Sequence, residues 1–259
     1  MSNSEYKINN ISKIYKINDV EHVVIENITL NIKSQDVTVI LGRSGCGKTT
    51  LLRIIAKLEK ASSGTIQFIK DGVTCRAKVG FVFQENRLMP WLNVSENILF
   101  HNIRNNYLNR ILEKLKLNNK KSKNSLDFYL KMMNLEKFKN LYSNELSGGM
   151  AQRVSIARAL SFNPDMLFMD EPFSALDYFT RTDMQKEVIN IHKSTNKGII
   201  FVTHDIDEAL KIGNKIMIFS NDNNKIEQFR IDDSSYNRDL TSNYYIELKR
   251  KILDIINFY

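Results

Sequence analysis

The sequence predicts an α/β fold, a mostly parallel sheet with helices on both faces, and three observations predict it. Short apolar runs recur along the chain at residues 37–41, 79–83, 166–169, 199–203 and 216–219. Runs so brief and so uniformly apolar suit strands that are covered on both faces. Helical stretches lie between them, which is the order that parallel β–α–β units require. The first run also leads directly into a glycine-rich turn and then a helix-spaced pattern of Leu51, Ile54, Ile55 and Leu58.

The remaining elements follow in chain order. Residues 1–35 alternate in strand fashion, as in His22-Val23-Val24-Ile25-Glu26-Asn27-Ile28-Thr29-Leu30-Asn31-Ile32. Residues 92 to about 160 read as an inserted helical subdomain. Its weakest part, residues 118–125, is rich in Asn and Lys and is expected to be a mobile turn. Residues 1–230 are expected to form one unit. In the tail, 231–259, apolar residues spaced along 245–256 suit an amphipathic helix that packs back on it.

Length and charge set outer limits. A chain of 259 residues and 30.1 kDa can bury a full core. Lys and Arg number 37 against 29 acids, a formal charge of +8. The cations are mostly scattered Lys, and the tightest run, 114–123, reads as a solvated linker. No aromatic residues interleave with the basic ones, so nucleic acid is not an expected partner. Cys46 and Cys75 cannot build a disulfide framework, which points to a reduced, cytosolic setting. No apolar run approaches the ~20 residues that cross a bilayer, and the polar N-terminus has no signal-peptide pattern. Any membrane connection is expected to come through a partner.

The glycine-rich turn reads Gly42-Arg43-Ser44-Gly45-Cys46-Gly47-Lys48-Thr49, followed by Thr50. Glycines 42, 45 and 47 let the backbone wrap so that amides converge on phosphate oxygens at a helix N-terminus. Lys48 supplies a point charge to the outer phosphates and the Thr49 hydroxyl a ligand for Mg²⁺. A strand before and a helix after make this a P-loop rather than a chance glycine-rich turn. Cys46, a thiol at a helix N-terminus beside Lys48, is expected to have a depressed pKa. The plain alternative is that cysteine is merely small enough for the loop.

Residues 165–171 end a buried strand in Asp170 and Glu171. Such a strand is expected beside the P-loop strand, with Asp170 placed to hold Mg²⁺. Alternation at the strand end would aim Glu171 elsewhere, toward the terminal phosphate. Ser147, Gly148 and Gly149 open a further helix carrying Val154, Ala157 and Leu160, and their free amides suit a phosphate.

Together, the glycine-rich turn, Leu146-Ser147-Gly148-Gly149-Met150-Ala151-Gln152-Arg153 and Asp170-Glu171-Pro172-Phe173-Ser174-Ala175-Leu176-Asp177 resemble the ATP-binding subunits of ABC transporters. The resemblance runs from about residue 15 to about residue 220. It implies a P-loop NTPase core, an N-terminal antiparallel β-subdomain and an inserted helical subdomain. It also implies ATP and Mg²⁺ as cofactors and Glu171 as general base or water polariser. His204, closing Thr203-His204-Asp205, matches the family's switch histidine. Gln84 matches the glutamine that senses Mg²⁺ and water. Tyr15 sits where an aromatic ring stacks on adenine; the plain alternative is an ordinary strand aromatic, as Tyr6 is also nearby. In the family the Ser-Gly-Gly turn contacts ATP held by an opposite subunit, so sites form between two head-to-tail chains, with Asp177 bridging near the interface.

Three positions depart from the pattern: Ala151 for a common Gln, Gln35 for a turn glycine and Lys57 for a glycine after the P-loop helix. None touches a phosphate. Met169-Asp170-Glu171-Pro172-Phe173-Ser174-Ala175-Leu176-Asp177 favours an importer. The stretch Met89-Pro90-Trp91-Leu92-Asn93-Val94-Ser95-Glu96-Asn97-Ile98 is similar to subunits that serve nitrate, sulfonate and taurine importers. Trp91 itself is compatible with plain core packing. The resemblance implies a membrane permease, a second ATP-binding subunit and an extracytoplasmic solute-binding protein as partners, and a place at the cytoplasmic face of the cell membrane. An export ATPase stays open, as do a soluble ATPase of DNA repair or translation and a non-hydrolysing regulatory module. The chain shows neither the coiled coil nor the tandem cassettes usual in the soluble class, and intact Glu171 and His204 oppose the last.

Overall fold

The computed structural model describes residues 4–103, 120–219, 226–233 and 236–257. The five apolar runs form β3 (Val37–Gly42), β6 (Val79–Val82), β7 (Met166–Asp170), β8 (Gly198–Thr203) and β9 (Lys215–Phe219). These lie parallel, with β10 (Ile226–Arg230) antiparallel on one edge, in the order β10-β9-β3-β8-β7-β6. Every residue of β3, β7 and β8 is buried, as strands covered on both faces should be.

One expectation needs correction. The strand ending in Asp170 is not beside the P-loop strand, because β8 lies between β3 and β7. Helix α1 (Lys48–Ile55) bridges the gap: it packs over β3, β8 and β7, so its first turn reaches the end of β7 from one strand away.

The pleat sends alternate residues to two separate cores. Val39, Leu41, Leu167, Met169, Ile199 and Phe201 face helices α5 (Gly148–Ser161), α6 (Tyr178–Thr195), α7 (Ile206–Ile212) and α8 (Asn243–Asn257). Ile40, Met166, Phe168, Ile200 and Val202 face α1 and a second sheet. That sheet pairs β1 (Ser4–Ile17), β2 (Val20–Lys33), β4 (Ser63–Lys70) and β5 (Val73–Cys75) antiparallel, in the order β2-β1-β4-β5. Tyr6, Ile8, Ile25 and Ile32 are its inward residues.

Helix α1 ends earlier than its apolar spacing suggests. Lys57 adopts φ 58°, and the amides of Lys57 and Leu58 donate to the carbonyls of Ile54 and Arg53 at 3.0 and 2.9 Å. This is a Schellman closure with its left-handed residue at Lys57. Leu58 is thereby turned out and is 57% exposed.

Between β6 and β7 lie α2 (Val94–Ile98), α3 (Phe100–Ile103), α4 (Lys120–Met132) and α5. Asn93 and Glu96 form a reciprocal capping box that starts α2. Residues 118 and 119 of the expected turn lie outside the described residues, as do 114–119 of the basic run. Residues 120–125 are helical, in line with the good helix propensity of Lys. Trp91 does not pack in the core: it is 63% exposed. Close by, an open groove between β6 and α5 is lined by Phe81, Phe83, Met89, Phe100, Arg158 and Phe162. The final helix, α8, buries Tyr245 and Ile252 against the helical face, and its Lys249 ammonium donates to Asp207 at 2.5 Å. No helix among the described residues is long and apolar enough to cross a membrane.

Candidate functional site

Pairing puts Leu41 beside Thr203, Asp170 beside Val202 and Val82 beside Met169. The loops after β3, β8, β7 and β6 therefore leave the sheet at nearly one level, side by side. Such carboxyl-end crevices are where open α/β sheets hold ligands.

The phosphate loop fills one side of this edge. Gly47 takes φ 97° at the start of α1, where a Cβ would lie 3.0 Å from the Val24 carbonyl. Glycine is needed there both for the angle and for the space. No side chain caps α1, so its first amides stay available to an anion. Arg43, Ser44 and Gly45 are exposed at the apex. The Lys48 ammonium, almost wholly buried, donates to the carbonyls of Gly42 at 2.9 Å and Arg43 at 2.6 Å.

Two acids face this loop. The Thr49 hydroxyl donates to Asp170 Oδ1 at 2.7 Å. Burial pushes the Asp170 carboxyl upward and prevails over the opposing pull of Thr49 and Arg53. Glu171 has left the strand: its φ is 42°, and its amide donates to the Val202 carbonyl at 3.0 Å. The left-handed turn, rather than strand alternation, sets the direction of its carboxylate. One oxygen lies 3.9 Å from Lys48 Nζ and the other 3.1 Å from His204 Nδ1. Because β8 intervenes, His204 emerges between the phosphate loop and Glu171.

Gln84 joins less directly. Its amide Nε2 donates to Ser174 Oγ at 3.4 Å, and that hydroxyl donates to the Glu171 carbonyl at 3.1 Å. In the sequence Ser174 is one residue of the stretch after Glu171; its linking position becomes visible only in three dimensions. The hydroxyl of Thr49, the carboxylate of Asp170 and the carboxamide of Gln84 are the hard oxygen donors that suit Mg²⁺. The first two touch, whereas Gln84 stands apart across Ser174.

Tyr15 and Tyr6 separate cleanly. Tyr6 is buried against Phe68 and Phe168 and has no face to offer a base. Tyr15 is half-buried. Its hydroxyl donates to Glu59 and also meets the Thr50 side chain, while Lys13 Nζ lies 4.6 Å from its ring centre. That puts the ring beside the first turn of α1.

The expected depression of the Cys46 pKa is corrected. Burial pushes the thiol up and outweighs the nearby Lys48 and the backbone hydrogen bonds, while Glu171 adds to the rise. The helix terminus that favours a thiolate is the same loop that excludes water from it.

Ser147, Gly148 and Gly149 are built differently. Ser147 caps α5, its hydroxyl accepting from the Met150 amide at 3.3 Å. The amides of Gly148 and Gly149 have no partner within the helix. A Cβ at Gly149 would lie 2.5 Å from Thr180 Cγ2, so the start of α5 is seated on the start of α6. There Asp177 is the cap, accepting from the amides of Phe179 and Thr180 at 3.1 Å each. The hydrogen bond from Thr180 holds the Asp177 carboxyl below its usual range. Among the described residues no hydrogen bond or ion pair joins 147–149 to 42–50. One chain does not bring these two motifs together.

A P-loop at the carboxyl edge of an α/β sheet, faced by two adjacent acids and a histidine, defines a nucleoside triphosphate hydrolase. The chain matches the ABC transporter family over residues 25–174 and belongs to that family. It is 39% identical to the aliphatic sulfonates import ATP-binding protein SsuB of Bacillus thuringiensis subsp. konkukian, over 95% of this chain and 93% of that protein. It is 37% identical to the taurine import ATP-binding protein TauB of Roseobacter denitrificans, over 82% of this chain and 76% of that one. Among solved structures, a dimeric post-hydrolysis state of the ATP-binding cassette MJ0796 with ADP and Pi superposes with a TM-score of 0.71. It shares 31% identity over 87% of this chain and 98% of its own. The chain is thus an ATP-binding, ATP-hydrolysing subunit of an ABC transporter.

Proposed function

We propose that this subunit powers the import of small organic sulfonates. In this reading two copies lie head to tail at the cytoplasmic face of the cell membrane, bound to a permease that receives solute from an extracytoplasmic binding protein. The observation that carries it is the division of one chain into two halves: a phosphate loop with its acids already assembled, and a Ser147–Gly149 turn with free amides and no contact to that loop. Each half needs the other from a second copy. The relatives named for sulfonate and taurine import support the solute class.

The residues take the following parts. Glycines 42, 45 and 47, with Arg43, Ser44, Cys46 and Thr50, wrap the phosphates, and Lys48 neutralises the outer ones. Thr49, Asp170 and Gln84 hold Mg²⁺. Bound Mg-ATP supplies the phosphoryl group that water attacks. Glu171 receives the water's proton, and His204 steadies the carboxylate through Oε2, a general-base role worth about 10²–10⁴ in rate. Tyr15 stacks on adenine. Ser147, Gly148 and Gly149 close the site from the second copy, with Asp177 at the seam.

Reconstitution of the chain with its permease in proteoliposomes tests the reading. Internal Mg-ATP is expected to drive inward uptake of labelled taurine or an alkanesulfonate when binding protein is present. Outward transport, or uptake indifferent to sulfonates but sensitive to another solute, would overturn direction or substrate respectively.

A further inference from the structure

His204 is held by little of its own. Its side chain is 58% exposed and its one polar partner among the described residues is Glu171. A side chain so free owes its position to the backbone that carries it. That backbone is clamped from below. The Asp205 amide donates to Thr203 Oγ1 at 3.0 Å, and this hydroxyl donates to Glu208 Oε2 at 2.5 Å. The other Glu208 oxygen accepts from Gln185 Nε2 at 3.3 Å. Asp205 in turn caps α7, accepting from the amides of Asp207 and Glu208 at 2.9 and 3.1 Å.

Asp205-Ile206-Asp207-Glu208 has the spacing of a capping box, in which the fourth residue reaches back to the first amide. Here the Thr203 hydroxyl is interposed. The relay draws Glu208 inward until it is 5% exposed, and burial pushes its carboxyl upward despite both hydrogen bonds. A solvated box would cap α7 equally well without desolvating an acid. The buried arrangement does something a solvated box cannot: it grips residues 203 and 205, one on either side of the histidine. Helix α6 shares in this grip. Arg181, one turn into it, donates to the Leu176 carbonyl at 3.0 Å and lies 3.8 Å from Asp205 Oδ2.

We propose that Glu208 is a positioning residue for ATP hydrolysis: acting through the Thr203 hydroxyl, it fixes the turn that carries His204 and so keeps the imidazole on Glu171. The inference rests on the reading that His204 and Glu171 act together on the attacking water.

The test uses the full-length chain, comparing kcat and the Kd for Mg-ATP in Thr203→Val, Glu208→Ala and Glu208→Gln. Removing the relay is expected to lower kcat by about 10²-fold, the effect of a misplacement near 1 Å, and to leave Kd unchanged. Glu208→Gln is expected to recover most of the rate. The buried Gln185 Oε1 has no partner, so a turn of that amide lets it accept from the new one. In a His204→Ala background, Glu208→Ala should add no further loss, since both act on one element. If Glu208→Ala does not fold, Thr203→Val decides alone. A parental kcat in Thr203→Val, or losses that add to those of His204→Ala, would overturn the proposal while leaving His204's role intact. A parental kcat in His204→Ala would instead overturn the reading on which it rests.

Discussion

The phosphate loop and the Ser147–Gly149 turn are both helix N-termini, yet one is closed and the other open. Around the loop three functional side chains already have protein partners: Lys48 on two carbonyls, Thr49 on Asp170, Glu171 on His204. Around the turn the polar contacts are local caps, and among the described residues no hydrogen bond or ion pair joins it to the loop. The first region is preorganised to bind; the second is preorganised to be brought to something. Substitutions in the two regions should therefore fail in different ways.

The largest effect sharpens that contrast inside the closed region. Glu171→Gln should hydrolyse ATP about 10²–10⁴ times more slowly, while still binding it and remaining dimeric on size exclusion, since the amide also removes a negative charge facing the nucleotide. Lys48→Ala should lose nucleotide affinity and stay monomeric. Two monomeric variants, with ATP saturating the glutamine form, would break the head-to-tail arrangement.

Next comes the open region. Gly149→Ala puts a methyl within 2.5 Å of Thr180 Cγ2, on a β-branched side chain with few χ1 rotamers open to it in a helix. Overpacking of this kind costs about 1–3 kcal/mol, and the melting temperature should fall accordingly. Monomer affinity for ATP should persist while hydrolysis is lost, and Thr180→Ser in the same chain should restore part of both. Loss of ATP binding by the monomer would show that the two regions are not separable.

A smaller effect concerns Cys46. Because burial holds its thiol above the ordinary value, maleimide should label it slowly near neutral pH and faster as pH rises through the thiol's range, with ATP protecting. Mass spectrometry after timed labelling reads the rate. Rapid labelling at pH 6 would mean that the loop is more open than its contacts imply.

The smallest effect is Lys57→Gly. Relief of a left-handed lysine is worth roughly 1–2 kcal/mol, offset by the roughly 0.4–1 kcal/mol that glycine's unfolded-state freedom costs. A modest rise in melting temperature is expected, with ATP affinity unaltered.

Much of this was readable from the chain because the signals are local. Residues 37–41 and the glycines after them announce a strand and a phosphate loop by composition alone. Strand order is not local. Nothing in residues 166–170 reveals that 198–203 will slide between them and the P-loop strand, since parallel register depends on the packing of intervening helices. What sets the direction of Glu171 was missed for a related reason: alternation describes a strand, and Glu171 has already left it at φ 42°. Residues 120–125 look like a loop by their Asn and Lys, yet they form helix. The relay through Thr203 was hidden in a common D-x-x-E spacing, which tells of a cap but not of what is placed between.

The exposure of Trp91 gives the chain an optical property. It is the protein's single tryptophan, and it lies on the surface, two residues beyond the methionine that lines the apolar groove. Indole emission shifts to shorter wavelength when water is replaced by an apolar neighbour, and no second indole obscures it. Unlabelled protein therefore carries its own reporter for whatever covers that surface, readable during titration with a partner and distinct from events at the nucleotide.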